Sequence, residues 1–438
     1  MDPSRSVRFG YTGAMRIARG AAALLVFAAV LAGCSQRHVT LRITADPPTG
    51  LYDAPLTVRV TGAQAGQRVR LDASATDRQG QVFASNATFV AGSDGTVDVT
   101  SAAPVAGSYT GAHATGLLWS MVPTGTSDFY FAPAATTMTI TLTARADGAS
   151  PVSAQIDRLR QAPGVTQHQL TLAQDGIDGV MFEPADTTTP RPAVLDFGGS
   201  EGSLTTSNAV ALASAGYPTL AISYFGDPGQ PASLADIPLE YFVTALHWLS
   251  RQPGVDPARV VVSGTSRGSE AALLLGVSYP DLVHAVVASV PSSVVNASLP
   301  GGDRSAWTLR GAELPFVPFN SPRAYHPDAV IPVERIRGPL FLLCGASDML
   351  WPSCPYSHEI AARRADNHTP YADVLAEEPG AGHFVGSPVP NVPASSTNTI
   401  SPRYGSLSVG GTQQADALGR LDAWPRLLQF LAGLRAGA

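Results

Sequence analysis

The sequence predicts two folded parts in series, a β-sandwich and then a mostly parallel, doubly wound α/β sheet, and three observations carry that prediction. Short segments that alternate apolar and polar residues with period two fill the first third of the chain. Beyond them, near-continuous apolar runs of strand length alternate with segments of helical period, the pattern of parallel strands buried on both faces. Finally, 438 residues with 45% hydrophobic and 14% charged side chains are enough for more than one large core and exclude a disordered or fibrous chain.

In chain order, residues 1–33 have the anatomy of an export signal peptide. Arg5, Arg8, Arg16 and Arg19 stand against the single acid Asp2, and the apolar run AAALLVFAAVLA follows over 21–32. That run falls short of the roughly 20 apolar residues a membrane-spanning helix needs. Leu31-Ala32-Gly33-Cys34 resembles the lipobox of bacterial lipoproteins, which implies cleavage before Cys34 and lipidation of its thiol. The alternatives are an ordinary cleaved leader with a coincidental cysteine, and a short uncleaved anchor. Lipidation would export the folded parts and tether them to the cell membrane through Cys34 alone.

Residues 38–147 read as the sandwich. The segments 56–60 (LTVRV), 68–71 (RVRL), 96–100 (TVDVT) and 137–143 (TMTITLT) alternate with period two, and Asp46-Pro-Pro-Thr-Gly50 and Ser93-Asp-Gly95 supply turns. Residues 148–165 read as a linker. The α/β part spans 166–438, with strands at 193–197 (AVLDF), 218–223 (PTLAIS), 260–263 (VVVS), 285–289 (AVVAS) and 339–344 (PLFLLC). Helical segments fall at 237–251, 269–278 and 357–364, and a closing helix at 421–434. Residues 294–336, rich in Pro, Gly and aromatics, are expected to make an excursion over the site, and 385–412 a long surface loop.

Every one of the 28 basic residues is arginine, which excludes Schiff-base, pyridoxal phosphate and P-loop chemistry that needs a lysine amine. A formal charge of −6 without basic clusters argues against nucleic acid as a partner. The nine histidines are scattered, with no close Cys/His cluster, so neither a metal nor another cofactor is expected. Besides Cys34 the chain has Cys344 and Cys354, whose separation suits a local disulfide as well as two independent buried thiols.

Strand 260–263 runs into Gly264-Thr265-Ser266-Arg267-Gly268 and then a helical segment from Ser269. This is G-x-S-x-G in the strand–turn–helix context that gives the motif meaning: the glycines permit a sharp turn, exposing the Ser266 hydroxyl and aiming the Arg267 N–H at a developing oxyanion. A serine hydroxyl needs a base, and the base an orienter. In the α/β-hydrolase order these follow as acid and then histidine. Asp348 lies just past strand 339–344, and His383 sits in the glycine-lined Gly380-Ala-Gly-His383. His358 and His368 compete with His383 but fall in or beside charged helical stretches, while Asp366 and Asp373 compete with Asp348 without a strand end before them. The second oxyanion donor is expected among the N–H groups of Gly199 and Ser200, in Asp196-Phe-Gly-Gly-Ser-Glu-Gly202, against the alternative of a plain glycine-rich turn.

With these residues the chain resembles the acyl-CoA thioesterase and bile acid-CoA:amino acid N-acyltransferase family. The likeness rests on Ser85-Asn-Ala-Thr-Phe89, Ala103-Pro-Val-Ala-Gly-Ser-Tyr109 and Gly116-Leu-Leu-Trp-Ser-Met121 in the first part. In the second it rests on Phe197-Gly-Gly-Ser-Glu-Gly202, Gly264-Thr-Ser-Arg-Gly-Ser-Glu270, Gly345-Ala-Ser-Asp-Met-Leu-Trp-Pro-Ser353 and Gly380-Ala-Gly-His383. The resemblance implies an N-terminal sandwich joined to an α/β-hydrolase domain. It also implies cleavage of a small-molecule acyl thioester, or a related ester, through an acyl-enzyme on Ser266. Conjugating members carry cysteine where this chain has Ser266, which implies water rather than an amine as acceptor. On this reading Trp307, Leu314, Phe316 and Phe319 shape an acyl pocket, the alternative being plain packing of a lid onto the core. Trp119 and Met121 belong to the core or the domain interface. Transfer to an amine or alcohol, a general envelope esterase, and a surface-binding lipoprotein with an inactive hydrolase domain remain the competing functions.

Overall fold

A computed structural model describes residues 40–125, 136–318, 321–393, 398–401 and 405–434. The leader, Cys34 and Phe319 lie outside the described residues. Among the described residues no helix is long and apolar enough to cross a membrane.

Alternation builds the sandwich as expected. Val69, Leu71, Ala73 and Ala75 of strand Arg68–Thr76 face inward, as do Met138, Ile140, Leu142 and Ala144 of strand Thr137–Ala146. One sheet runs in the order Thr49–Leu51, Val152–Leu159, Thr137–Ala146, Arg68–Thr76, Val82–Val90, Ala106–Gly107. The strands Arg42–Asp46, Thr57–Thr61 and Val97–Asp98 form a second sheet, whose Ile43, Val58, Val60 and Val97 enter the same core. The linker expected over 148–165 is corrected here. Its residues Val152–Leu159 are a strand paired with Thr137–Ala146, Ile156 opposite Ile140. The strand escapes a hydrophobic pattern because one inward position is Arg158, 1% exposed, which donates to the Pro47 carbonyl at 2.6 Å.

The second domain is an eight-stranded sheet ordered Thr166–Leu170, Asp178–Glu183, Thr219–Ser223, Arg191–Phe197, Val255–Thr265, Ala285–Ser289, Leu340–Gly345, Val374–Glu378. The first two strands are antiparallel to their neighbours and the rest are parallel, the α/β-hydrolase arrangement. The central strands are buried along nearly their whole length, which explains their unbroken apolar runs. The closing helix, expected from residue 421, begins at Gln413, where the Thr412 side chain accepts from the N–H of Ala415. The loop expected on the surface from 385 is largely buried as far as Pro393. Asn391 reaches the sandwich there, its side-chain amide donating to the Tyr52 carbonyl at 2.6 Å. Trp424 of the closing helix donates to Asp53 at 2.9 Å, and Gln413 to the Met121 carbonyl at 3.1 Å. Trp119 and Met121 are core residues, 1% and 0% exposed.

Candidate active site

Strand Val255–Thr265 ends at Ser266, and helix Arg267–Ser278 begins directly after it. Ser266 has φ 57° and ψ −122°, a conformation that costs a non-glycine residue on the order of 1–3 kcal/mol. The turn is held by close backbone packing that only glycine allows. A Cβ on Gly264 would fall 2.3 Å from the Gly268 carbonyl oxygen, and one on Gly268 would fall 2.2 Å from that of Gly198. The Ser266 N–H donates to the Ser289 carbonyl at 2.9 Å, and the Ser269 hydroxyl to the Ser266 carbonyl at 2.6 Å.

The structure brings Ser266, His383 and Asp348 into one hydrogen-bonded chain. His383 Nδ1 is 2.8 Å from Asp348 Oδ2, and His383 Nε2 is 2.9 Å from Ser266 Oγ. Since a carboxylate only accepts, Nδ1 carries the proton and Nε2 is left to accept from the serine hydroxyl. Asp348 also accepts from the N–H groups of Leu350 at 2.9 Å and Trp351 at 3.3 Å. The Trp351 ring stands edge-on to His383, its centroid 5.7 Å away, and its indole N–H donates to the Val290 carbonyl at 3.0 Å. An imidazole held this way can take the serine proton as the hydroxyl attacks an acyl carbon.

Two further devices fix these loops. Cys344 and Cys354 form a disulfide, Cα atoms 5.0 Å apart, which brackets the loop carrying Asp348 and Trp351. Behind His383, wholly buried Asp416 accepts from the Gly382 N–H at 2.6 Å. Burial pushes its carboxyl up to about 6. The competing candidates have other partners: His358 is on Glu377 at 2.8 Å, and Asp373 pairs with the buried Arg364 at 2.7 Å.

On the opposite side, Gly199 lies against Ser266: a Cβ there would be 2.9 Å from Ser266 Cβ. Its N–H, expected to face an oxyanion, instead donates to Glu201 Oε2 at 2.9 Å, because the Glu201 side chain folds back along the loop. Ser200 sits half-buried beside it. The Arg267 side chain points away from Ser266, donating to the carbonyls of Ala297 at 2.9 Å and Asn296 at 3.0 Å and pairing with Glu270 at 2.8 Å. Glu270 is wholly buried and also accepts from the Asn296 amide at 2.7 Å and the Trp307 indole at 3.0 Å. Trp307 is thus corrected from pocket wall to core residue. It is 0% exposed, packed between Tyr224 and Phe242, with its one polar atom satisfied by a buried carboxylate. Leu314 and Phe316 are partly buried against the same core.

Sequence reasoning missed Glu201, Glu270 and Asp416 as partners of the site. The first two stand inside motifs that were singled out, but nothing local shows where a carboxylate will find its donors. Among the described residues no group of three or more His, Cys, Asp or Glu side chains is placed to hold a metal.

Residues 53–172 match the acyl-CoA thioester hydrolase/BAAT N-terminal region, and residues 237–434 match the BAAT/acyl-CoA thioester hydrolase C-terminal region. Acyl-coenzyme A thioesterase 6 of Mus musculus is 26% identical over 400 residues, 86% of this chain and 93% of its own. Acyl-coenzyme A amino acid N-acyltransferase 1 of Mus musculus is 26% identical over 413 residues, 89% of this chain and 97% of its own. Mitochondrial acyl-coenzyme A thioesterase 2 of Homo sapiens is 28% identical over 400 residues, 86% of this chain and 81% of its own.

Proposed function

The chain belongs to the acyl-CoA thioesterase and bile acid-CoA:amino acid N-acyltransferase family, and from that premise we propose that it is a serine-dependent hydrolase of acyl thioesters. The observation that carries the proposal is the hydrogen-bonded chain from Ser266 through His383 to Asp348 at a strained strand–helix turn. Ser266 Oγ attacks the thioester carbonyl while His383 Nε2 takes its proton. The tetrahedral oxyanion is held by the Arg267 N–H, the first of a helix and therefore without an intrahelical partner. Collapse expels the thiolate, which His383 protonates. Water, activated by the same ring, then attacks the acyl-oxygen ester and releases the acid.

Serine at 266 favours water over an amine as acceptor, since an oxygen ester is less readily passed to an amine than a thioester. Relatives that bear both thioesterase and N-acyltransferase names keep transfer as the second reading. We further place the enzyme outside the cytoplasm on a lipid at Cys34, a reading supported by the leader and by a disulfide of the kind that persists in oxidising compartments. Loss of metabolic fatty-acid labelling in Cys34→Ala tests that anchor.

The deciding experiment compares kcat/KM for one acyl group presented as a CoA thioester and as a simple oxygen ester. Ser266→Ala serves as the blank and is expected to lose at least about 10³-fold in turnover at unchanged Tm. Near-wild-type turnover in Ser266→Ala refutes the mechanism. A preference for the oxygen ester replaces the thioesterase with an envelope esterase.

A further inference from the structure

We propose that Glu201 is a stand-in ligand of the oxyanion loop: without substrate its carboxylate holds the Gly199 N–H, and the carbonyl oxygen of the substrate takes over that N–H by displacing it. The inference rests on the acyl-enzyme reading of Ser266 and deepens it.

Three observations place the carboxylate beside Ser266, one residue away across Gly199. Glu201 Oε2 accepts from the Gly199 N–H at 2.9 Å. A Cβ on Gly199 would lie 2.9 Å from Ser266 Cβ and 3.2 Å from Glu201 Oε2, so a single residue separates the carboxylate from the nucleophile. The carboxylate is also near enough to His383 for their charges to interact. Other observations make it exchangeable. Glu201 is exposed as a residue although burial of its carboxyl raises the pKa, so the side chain has one edge open to solvent. The loop beyond it turns through two successive residues of positive φ, Gly202 at 66° and Ser203 at 69°. It is anchored past the turn by the Ser203 N–H on the Phe225 carbonyl at 2.9 Å. Tyr224 fixes the loop from below, its hydroxyl 3.0 Å from the Gly198 carbonyl oxygen and 2.9 Å from that of Gly199. The backbone is therefore held by Tyr224 and Phe225, while the Gly199 N–H is covered by a group that can leave.

A resident anion at that N–H mimics the charge of the tetrahedral intermediate and competes with it. Its removal should favour any ligand that brings an oxyanion. Glu201 acts through Gly199 and is a positioning residue, so the test must separate competition from simple support of the loop. The probe is an alkyl trifluoromethyl ketone, which adds the Ser266 hydroxyl to its carbonyl and leaves a hemiketal oxyanion, the proton passing to His383. Inhibition constants are measured for the wild type and for Glu201→Gln, with Glu201→Ala carrying the same expectation should the glutamine variant misfold. The expected result is inhibition tightened about tenfold, with KM for the thioester falling by a larger factor than kcat changes. Unchanged or weakened inhibition overturns the inference and leaves Glu201 a mere support of the loop. Fluorophosphonate labelling of the wild type keeps the two readings apart. An unlabelled Ser266 refutes the acyl-enzyme and the inference together, whereas a labelled Ser266 with unchanged inhibition in the variant refutes the inference alone.

Discussion

The turn at Ser266 and the turn at Gly198–Ser203 face each other across the same hydroxyl, and each carries a non-glycine residue at positive φ, 57° at Ser266 and 69° at Ser203. They are held by opposite means. The Ser266 turn is clamped by backbone packed on backbone, by the Arg267–Glu270 pair buried beneath it, and by neighbours that are themselves tied down by a disulfide and a buried aspartate. The Gly198–Ser203 turn has its backbone held by Tyr224 and Phe225 but keeps its Gly199 N–H on the side chain of one glutamate. Groups that must hold the reacting atoms in register are thus fixed by contacts too costly to break. On the proposed mechanism, the group that receives a charge only during turnover is covered by a single side-chain contact. Preorganisation is concentrated on one side of the site and adaptability on the other.

The sharpest way to break this contrast is a pair of glycine substitutions. In Gly268→Ala the new methyl meets the Gly198 carbonyl oxygen at 2.2 Å, backbone against side chain with nowhere to go. The expected loss is about 3 kcal/mol of stability by urea unfolding, with turnover falling in parallel. Next comes the clamp on the acid loop. Cys344→Ala with Cys354→Ala opens a loop of ten-residue separation, which should cost about 3 kcal/mol or somewhat less. It should also depress kcat more than it raises KM, because Asp348 lies inside that loop.

Asp416 gives the third effect. Its folded-state carboxyl titrates at about 6, whereas an unfolded aspartate titrates near 3.9. Between those values the folded chain holds a proton that the unfolded chain has released. This contribution to stability is therefore full below pH 4 and is lost as pH rises through 6. Asp416→Asn should shrink the stability difference between pH 4.5 and pH 7 by about 2 kcal/mol, and an unchanged difference would mean that Asp416 does not titrate there. The smallest effect is expected for Gly198→Ala, where the methyl meets side-chain ends alone, Glu201 Oε1 at 2.0 Å and Thr205 Oγ1 at 3.2 Å. The carboxylate swings out, and stability changes by less than about 1 kcal/mol. If Gly198→Ala proved as damaging as Gly268→Ala, the two turns would be equally rigid and the contrast would fall.

What was legible in the sequence follows the same division. The turn at Ser266 is written in five consecutive residues after an apolar strand, so its geometry is local. Asp348 and His383 are found by their places after a strand end and in a glycine loop. The strand Val152–Leu159 was hidden because Arg158 occupies an inward position that a hydrophobic pattern reserves for apolar residues. Trp307 reads as a pocket wall from sequence because it lies in a stretch without period, and only Glu270, thirty-seven positions away, makes its burial tolerable. Nothing in Gly198-Gly-Ser-Glu201 reveals that the glutamate turns back on its own loop to hold the Gly199 amide. Choices among hydrogen-bond partners are made by the folded chain, not by the neighbours in sequence.

The hold of Asp416 on the Gly382 N–H has a consequence for biogenesis. The helix Gln413–Gly433 that presents it is the last element to be synthesised of those described. It also supplies Trp424 and Gln413 to the sandwich made at the beginning. A nascent chain can build the sandwich early, but the histidine loop has no floor until the helix Gln413–Gly433 has been made. The loop carrying His383 is therefore completed only when this late helix has closed on the early sandwich.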